Sequence, residues 1–227
     1  ILEDDSILND IDAIINVGDG YTAHSGGEYW INEKIISSIR KFIFDGGGFI
    51  GIGEPSAYQF QGHHFQLSSA LGVEMEKGFT LNYDKYNWES NNHFITEDCK
   101  GKIDFGEGKK GVFALPDTKI LVENDKDIQL SVNEFGKGRC VYISGLPYSF
   151  ENTRILLRAI MYSSNDEKGL YNWYSENYNV DVHAYLDSKK YCVVNNTFEK
   201  QSTTIYKNEN SSFDIELDEN EILWFEI

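Results

Sequence analysis

Short apolar runs that end in glycine constrain the fold of this chain more than any other feature. Residues 13–17 form one such run before Gly18, and residues 49–52 form another before Gly53. Between them, isoleucine and phenylalanine recur at helical spacing over 32–44, and three glycines follow. Unbroken apolar runs are typical of strands buried on both faces, and their alternation with helices predicts an α/β sheet with parallel central strands. The strand-like run 139–144 and the helical pattern 151–162 extend this prediction to about residue 163.

The pattern changes after about residue 168. Short runs with partial alternation lie at 180–185, 190–195, 203–206, 213–217 and 221–227, with polar turns between them. Strands at this spacing indicate a small all-β module. We therefore expect an α/β domain over 1–163, a hinge over 163–167 and a β-sandwich-like module over 168–227.

The charge of the chain excludes several partners. Its formal net charge is -17 and its longest basic run is Lys109-Lys110, whereas nucleic acid binding requires clustered Lys and Arg. No run of about 18 apolar residues occurs, so we expect no nucleic acid and no membrane partner.

Three separated cysteines without a CxxC pair argue against a disulfide framework and favour a reducing, cytoplasmic setting. Cys140 and Cys192 lie in apolar runs and are expected to be core residues. The chain begins with neither Met nor a signal-peptide pattern, which favours a piece excised from a longer protein.

The loop after the first strand carries the densest group of polar and aromatic residues. Asp19, Thr22, His24 and Glu28 lie in it between glycines, with two aromatic residues beside them. Ligands of open α/β sheets bind outside the carboxyl ends of the strands, so these four residues are candidates for binding a sugar. The alternative is a surface loop in which Asp and Ser cap the following helix.

A second polar cluster follows the next strand. Glu54 could act as a base, and His63 with His64 could bind metal or carry protons. Adjacent histidines point in different directions and no HExxH or cysteine partner is near, so we expect no metal site and interpret these residues as structural. The aromatic and polar residues of 82–94 could line a carbohydrate groove or form an irregular loop.

Motifs for cofactor and nucleophilic chemistry are missing from the sequence. There is no GxGxxG after a strand, no GxxxxGK[ST] loop and no GxSxG elbow. The turn at 51–55 has no cysteine nucleophile, and the late strand ends without a histidine. We therefore expect no cofactor and no catalytic residue within this chain.

Three motifs carry a resemblance to a known family: GGEYW at 26–30, GGGFIGIGEPSA at 46–57 and YDKYNW at 83–88. Together they resemble the inverting galacto-N-biose/lacto-N-biose phosphorylases of glycoside hydrolase family 112, which cleave β-galactosyl-N-acetylhexosamine with inorganic phosphate. A sister activity acts on galactosyl-rhamnose. The resemblance implies a flavodoxin-like or class I glutamine-amidotransferase-like parallel sheet domain, followed by a small all-β module.

The resemblance also implies which parts of the enzyme are missing here. In that family an N-terminal TIM barrel holds the catalytic acid, and a barrel requires about 250 residues of its own. This chain is then an accessory C-terminal region that is inactive alone, with the barrel, the disaccharide and phosphate as partners. By the same resemblance, Asp19 is expected to orient the leaving sugar without taking part in proton transfer.

Two other functions stay open at this point. One is an amidotransferase-like fold used only for oligomerisation or sugar binding, and self-association is compatible with either reading. The other is an independent hydrolase that acts through Glu54 and His63 or His64. The sequence does not distinguish N-acetylglucosamine, N-acetylgalactosamine and rhamnose as the acceptor.

Overall fold

The structure, a computed structural model, describes residues 5–77, 92–99, 102–125 and 127–227. It divides into two compact units, the first comprising Ile1–Tyr148 with Tyr162–Asn165 and the second Ser149–Met161 with Asp166–Ile227. The domain bounds expected from the sequence stay a prediction. They differ from this division mainly in the place of residues 149–161.

The strands of the first unit are β1 (Ala13–Gly18), β2 (Gly48–Gly53), β3 (Ala57–Phe60), β4 (His63–Phe65), β5 (Val73–Met75), β6 (Val112–Ala114), β7 (Lys119–Asn124), β8 (Asp127–Phe135) and β9 (Gly138–Ile143). The main sheet has five of these strands in the order β1-β2-β9-β8-β7. Two small two-stranded sheets, β3-β4 and β5-β6, accompany it.

Helix α1 (Glu33–Asp45) confirms the helical pattern that the sequence shows over 32–44. Asn32 caps it by accepting a hydrogen bond from the Lys34 backbone N–H at 3.0 Å, and Gly46 ends it at φ 130°. The buried side of the helix, with Ile39 and Ile43, belongs to the main core. A second, four-residue helix α2 (Ser68–Leu71) contributes Ala70 and Leu71 to the same core.

The main sheet is mixed and not wholly parallel. β1 pairs with β2 and β2 with β9 in parallel, as the apolar runs predict for the central strands. β8 pairs antiparallel with β9, because the short turn between the two strands returns the chain directly, and it also pairs antiparallel with β7. Assignment of this unit to the flavodoxin-like or amidotransferase-like class stays a prediction.

The prediction that β1 is buried on both faces is wrong. Its burial alternates, and Ile15 and Val17 are 41% and 43% exposed. β1 is an edge strand of the sheet, so Ile15 and Val17 have side chains of a neighbouring strand beside them only towards β2. An apolar run in the sequence does not reveal whether anything covers the outer side of an edge strand.

The strands of the second unit are β10 (Tyr174–Ser175), β11 (Val180–Tyr185), β12 (Lys190–Asn195), β13 (Gln201–Asn208), β14 (Ser211–Leu217) and β15 (Ile222–Glu226). They form a sandwich of two three-stranded antiparallel sheets, β10-β13-β14 and β11-β12-β15. The core of the sandwich joins Val180, Tyr191 and Val193 of one sheet to Ile205 and Leu217 of the other. The strand runs predicted at 180–185 and 190–195 are confirmed with the same bounds.

The last helix, α3 (Phe150–Ser163), confirms the helical pattern predicted over 151–162. Cys140 and Cys192 are buried free thiols, as expected, and burial raises the pKa of Cys140 to about 12. Across the residues that the structure describes, no helix is both long and apolar enough to cross a membrane.

Substitution of Ile50 by Ala is expected to lower the free energy of unfolding by about 2–5 kcal/mol, because it leaves a cavity in place of a fully buried side chain. Ile15→Ala provides the matched control, since Ile15 is the register partner of Ile50 on the same face of the sheet. Urea unfolding is expected to show a clearly smaller loss for Ile15→Ala. Equal losses would mean that the outer side of β1 is covered.

Candidate functional site

Two polar segments meet at the carboxyl ends of the parallel strands β1 and β2. The first is the β1 loop, residues 18–31, and the second is the turn that begins at Glu54. The Glu54 N–H donates to the Gly18 carbonyl at 2.9 Å. Asn16 of β1 also joins the two segments, because its side chain accepts from the Ser56 N–H at 2.7 Å and donates to the Ser25 carbonyl at 3.1 Å.

The β1 loop is folded on its own hydrogen bonds. The Thr22 hydroxyl donates to the Asp19 carbonyl at 2.7 Å, and the Ser25 hydroxyl donates to the same carbonyl at 2.6 Å. The Trp30 indole N–H donates to the Ser25 carbonyl, which anchors the far side of the loop to a buried ring. Contrary to the capping alternative, it is Asn32 that caps the following helix.

Glu54 is a nearly buried carboxylate, 9% exposed, with three cationic or donor partners. Its Oε2 lies 2.9 Å from His64 Nε2 and 3.1 Å from Lys77 Nζ, and its Oε1 lies 3.4 Å from Lys109 Nζ. The hydrogen bond from His64 lowers the pKa of Glu54 most; burial opposes it, and Lys77 and Lys109 lower it further, to about 2. The carboxylate is therefore ionised at neutral pH and unsuited to act as a general acid or base.

Lys109 joins this buried carboxylate to the exposed one in the β1 loop. Its ammonium pairs with Asp19 Oδ1 as well as with Glu54. Burial lowers the pKa of Lys109, but the hydrogen bond to Asp19 and the charges of Glu54 and Asp19 together outweigh burial, so the pKa is raised. Lys109 is consequently charged at neutral pH.

Gly20 allows the loop to lie directly on the Glu54 carboxylate. A Cβ atom at this position would stand 2.5 Å from Glu54 Oε2 and 3.1 Å from the Ala57 Cβ. Tyr21 follows it with φ 62°, and its hydroxyl accepts from the Gln59 N–H at 3.0 Å. Its ring packs near Tyr58 and His64, with centroids 5.4 and 6.0 Å apart respectively.

The four sugar-binding candidates occupy different environments in this loop. The Asp19 side chain is 73% exposed, and it is the candidate that the structure joins to the Glu54 cluster. Thr22 uses its hydroxyl inside the loop, where it also accepts from the Ser25 N–H at 3.3 Å. His24 and Glu28 are exposed on the same loop. A role for any of the four in binding sugar stays a prediction.

The adjacent histidines have separate partners, as expected. His63 Nδ1 lies 2.9 Å from Glu74 Oε2, whereas His64 faces Glu54. The Glu74 Oε1 atom also accepts backbone N–H groups from His64 and Phe65 at 3.2 and 2.8 Å, which fixes this hairpin. Within the described part of the chain, no three His, Cys, Asp or Glu residues are grouped so as to hold a metal ion.

Sequence reasoning missed Lys77 and Lys109 as members of this cluster. Lys109 is 90 residues from Asp19 along the chain, and neither lysine stands in a recognisable motif. Most of the aromatic stretch considered as a groove, residues 82–91, lies outside the described residues.

Comparison with models of protein families shows which family this chain belongs to. Residues 1–168 match the family model described as the lacto-N-biose phosphorylase central domain, and residues 173–225 match the C-terminal domain of the same family. The chain belongs to the lacto-N-biose phosphorylase family. The resemblance noted in the sequence motifs is thereby confirmed.

Two curated relatives show how this family member compares with longer proteins. It is 59% identical over 228 residues to the 1,3-beta-galactosyl-N-acetylhexosamine phosphorylase Cphy0577 of Lachnoclostridium phytofermentans, covering 100% of this chain and 32% of the relative. It is 28% identical over 209 residues to the D-galactosyl-beta-1->4-L-rhamnose phosphorylase of the same organism, covering 87% of this chain and 27% of the relative. The chain thus spans about a third of the length of the curated relatives it matches.

Among solved structures, a β-galactosidase from Rahnella sp. R3 matches with a TM-score of 0.50 and 13% identity. The match covers 95% of this family member and 32% of that chain. At this identity the likeness concerns the fold alone.

Glu54→Gln is expected to reduce stability near neutral pH, and the difference from the wild type should shrink in acid. The pKa of Glu54 lies near 2 in the folded protein against an ordinary value of 4.5, so its contribution is complete above pH 4.5 and is lost as the pH falls towards 2. Urea unfolding of both proteins across this range measures the difference. Glu28→Gln, an exposed control, should show no such trend, and a constant Glu54 difference would contradict the ion-pair assignment.

Proposed function

We propose that this chain is the accessory C-terminal part of a phosphorylase. The complete enzyme would reversibly cleave β-galactosyl-N-acetylhexosamine with inorganic phosphate, giving galactose 1-phosphate and the free N-acetylhexosamine. Membership of the family supports this proposal, as does the observation that the chain spans about a third of its relatives. The catalytic barrel and its general acid would lie in the remaining part of the full-length protein.

The role of the β1 loop rests on the pairing of an exposed carboxylate with a partly buried cation. Asp19 presents its oxygens to solvent while Lys109, itself held by Glu54, fixes one of them. A carboxylate in a set position can accept hydrogen bonds from sugar hydroxyls at little entropic cost on binding. Asp19 would thereby orient the leaving sugar while the proton transfer takes place elsewhere.

The state of Glu54 weighs against an independent hydrolase in this chain. A general acid or base works best with a pKa near the operating pH, whereas that of Glu54 is about 2. His64 is buried against Glu54, and His63 pairs with Glu74. These contacts favour a structural role for all three residues.

The exposed apolar side chains of β1 indicate a surface that another domain of the full-length protein covers. Ile15 and Val17 on β1, together with Ile11 just before it, are large aliphatic side chains left exposed. Such surfaces are commonly interaction sites. We propose that the barrel of the full-length protein covers them, although a second copy of the chain is the other partner that would do so.

The higher identity to the galactosyl-N-acetylhexosamine phosphorylase favours an N-acetylhexosamine over rhamnose as the acceptor, at 59% against 28%. An enzyme distinguishes such sugars by which of their hydroxyls form hydrogen bonds with the protein. The residues that surround the acceptor would come from both this chain and the barrel.

Asp19→Asn in the full-length protein is expected to raise KM for the N-acetylhexosamine acceptor in the synthetic direction by about tenfold or more. The reason is that a hydrogen bond to a charged group contributes about 1.5–3 kcal/mol. KM for galactose 1-phosphate should stay close to the wild-type value, because Asp19 would contact the acceptor alone. Asp45→Asn, at an exposed aspartate at the end of α1 and outside this loop, is the matched control.

The 227-residue chain alone tests the division of labour in the same assay. It should release no galactose 1-phosphate from lacto-N-biose and phosphate, whereas the full-length protein should do so. Turnover by the chain alone would overturn the accessory role. An unchanged acceptor KM in Asp19→Asn would remove Asp19 from the acceptor site without affecting that role.

A further inference from the structure

An exposed pair of aromatic rings lies on the second unit, outside the site described above. Tyr185 of β11 and Trp224 of β15 are 49% and 59% exposed. Their ring centroids are 5.6 Å apart and their planes are 30° from parallel. Ile222, on the same side of β15 as Trp224, is also exposed.

Strand register shows that both rings belong to the outer face of the β11-β12-β15 sheet. Tyr191 and Val193 of β12 point into the sandwich core, so Cys192 between them points outward. Cys192 is nevertheless only 4% exposed, and its register partners are His183 and Trp224. The larger side chains around Cys192 therefore cover it, while about half of the surface of Tyr185 and of Trp224 stays exposed to solvent.

The charged groups of this face, Asp181, Lys190 and Glu226, each have a partner. Lys190 Nζ lies 3.7 Å from Glu226 Oε1, and Asp181 accepts a hydrogen bond from the Asn196 side chain at 2.6 Å. The chain as a whole carries a formal charge of -17, which repels anions. An anion is therefore disfavoured, and exposed rings with polar groups at their edges suit a neutral occupant that has an apolar side and hydroxyl groups.

The size of the face also separates small occupants from a second protein. Three strands about 4.8 Å apart and five or six residues long offer about 250 Å². A stable protein interface buries about 800 Å² on each partner, so this face is too small to hold one alone. The area is sufficient for a di- or trisaccharide.

We propose that the outer face of the β11-β12-β15 sheet, with Trp224 and Tyr185 at its centre, binds the apolar face of a neutral pyranose sugar. The electron-rich ring faces attract the C–H groups of the sugar, and the edges of the face, at His183, Lys190 and Glu226, supply donors and acceptors for its hydroxyls. An open platform of this kind binds weakly, with a Kd of about 1 mM. This inference does not depend on the role proposed for Asp19.

Saturation-transfer NMR of the 227-residue chain with lacto-N-biose and with cellobiose tests the proposal. At least one disaccharide should receive saturation mainly on ring C–H protons, with an affinity that Trp224→Ala and Tyr185→Ala each weaken by about tenfold. Trp224→Phe retains a ring and should keep most of the affinity. Phe198→Ala, which removes an exposed aromatic side chain elsewhere in the second unit, should bind like the wild type.

Asp19→Asn separates this site from the one in the β1 loop, because sugar binding at the sheet should survive it. Binding that disappears in Asp19→Asn but persists in Trp224→Ala would overturn the proposal, and so would binding by neither disaccharide. A sedimentation coefficient that falls in Trp224→Ala, with sugar binding unchanged, would instead make this face a contact between copies. Thermal unfolding monitored by circular dichroism shows whether each variant is folded.

Discussion

The ion pairs of the Glu54 carboxylate are the interaction on which the site depends. Removing a carboxylate from water costs several kcal/mol unless cations and hydrogen bonds compensate. The compensating groups come from separate parts of the chain: His64 from β4, Lys77 after β5 and Lys109 before β6. The charge of one side chain therefore ties three segments to the end of β2.

The same cluster determines what the β1 loop can do. Gly20 rests on the carboxylate and Lys109 reaches past it to Asp19, so the loop is tied to the sheet both by close packing and by an ion pair. The exposed carboxylate of Asp19 is thus held in place before any ligand arrives. A loop of this kind is suited to complete a sugar site whose reacting groups lie on another domain, which is the role proposed for it.

Local signals in the sequence predicted local structure well. The apolar spacing of α1, its glycine stop and the alternation in β11 and β12 lie within short windows, and the structure has these elements at or near the predicted bounds. The exposed side of β1 and the pairing of Asp19 with Lys109 could not be predicted in this way. Both depend on which distant segments become neighbours, and a lysine without a motif gives no sign of its partner.

The claim that Lys109 fixes the β1 loop is tested most directly by amide hydrogen exchange. Lys109→Met should speed exchange of the protected amides in residues 20–28 by about tenfold, since the loss of a charged hydrogen bond costs about 1.5 kcal/mol. Exchange in β1 and β2 should stay as in the wild type, and Lys110→Met, at the neighbouring exposed lysine, should change neither region. Loop exchange that is unaffected by Lys109→Met would contradict the account.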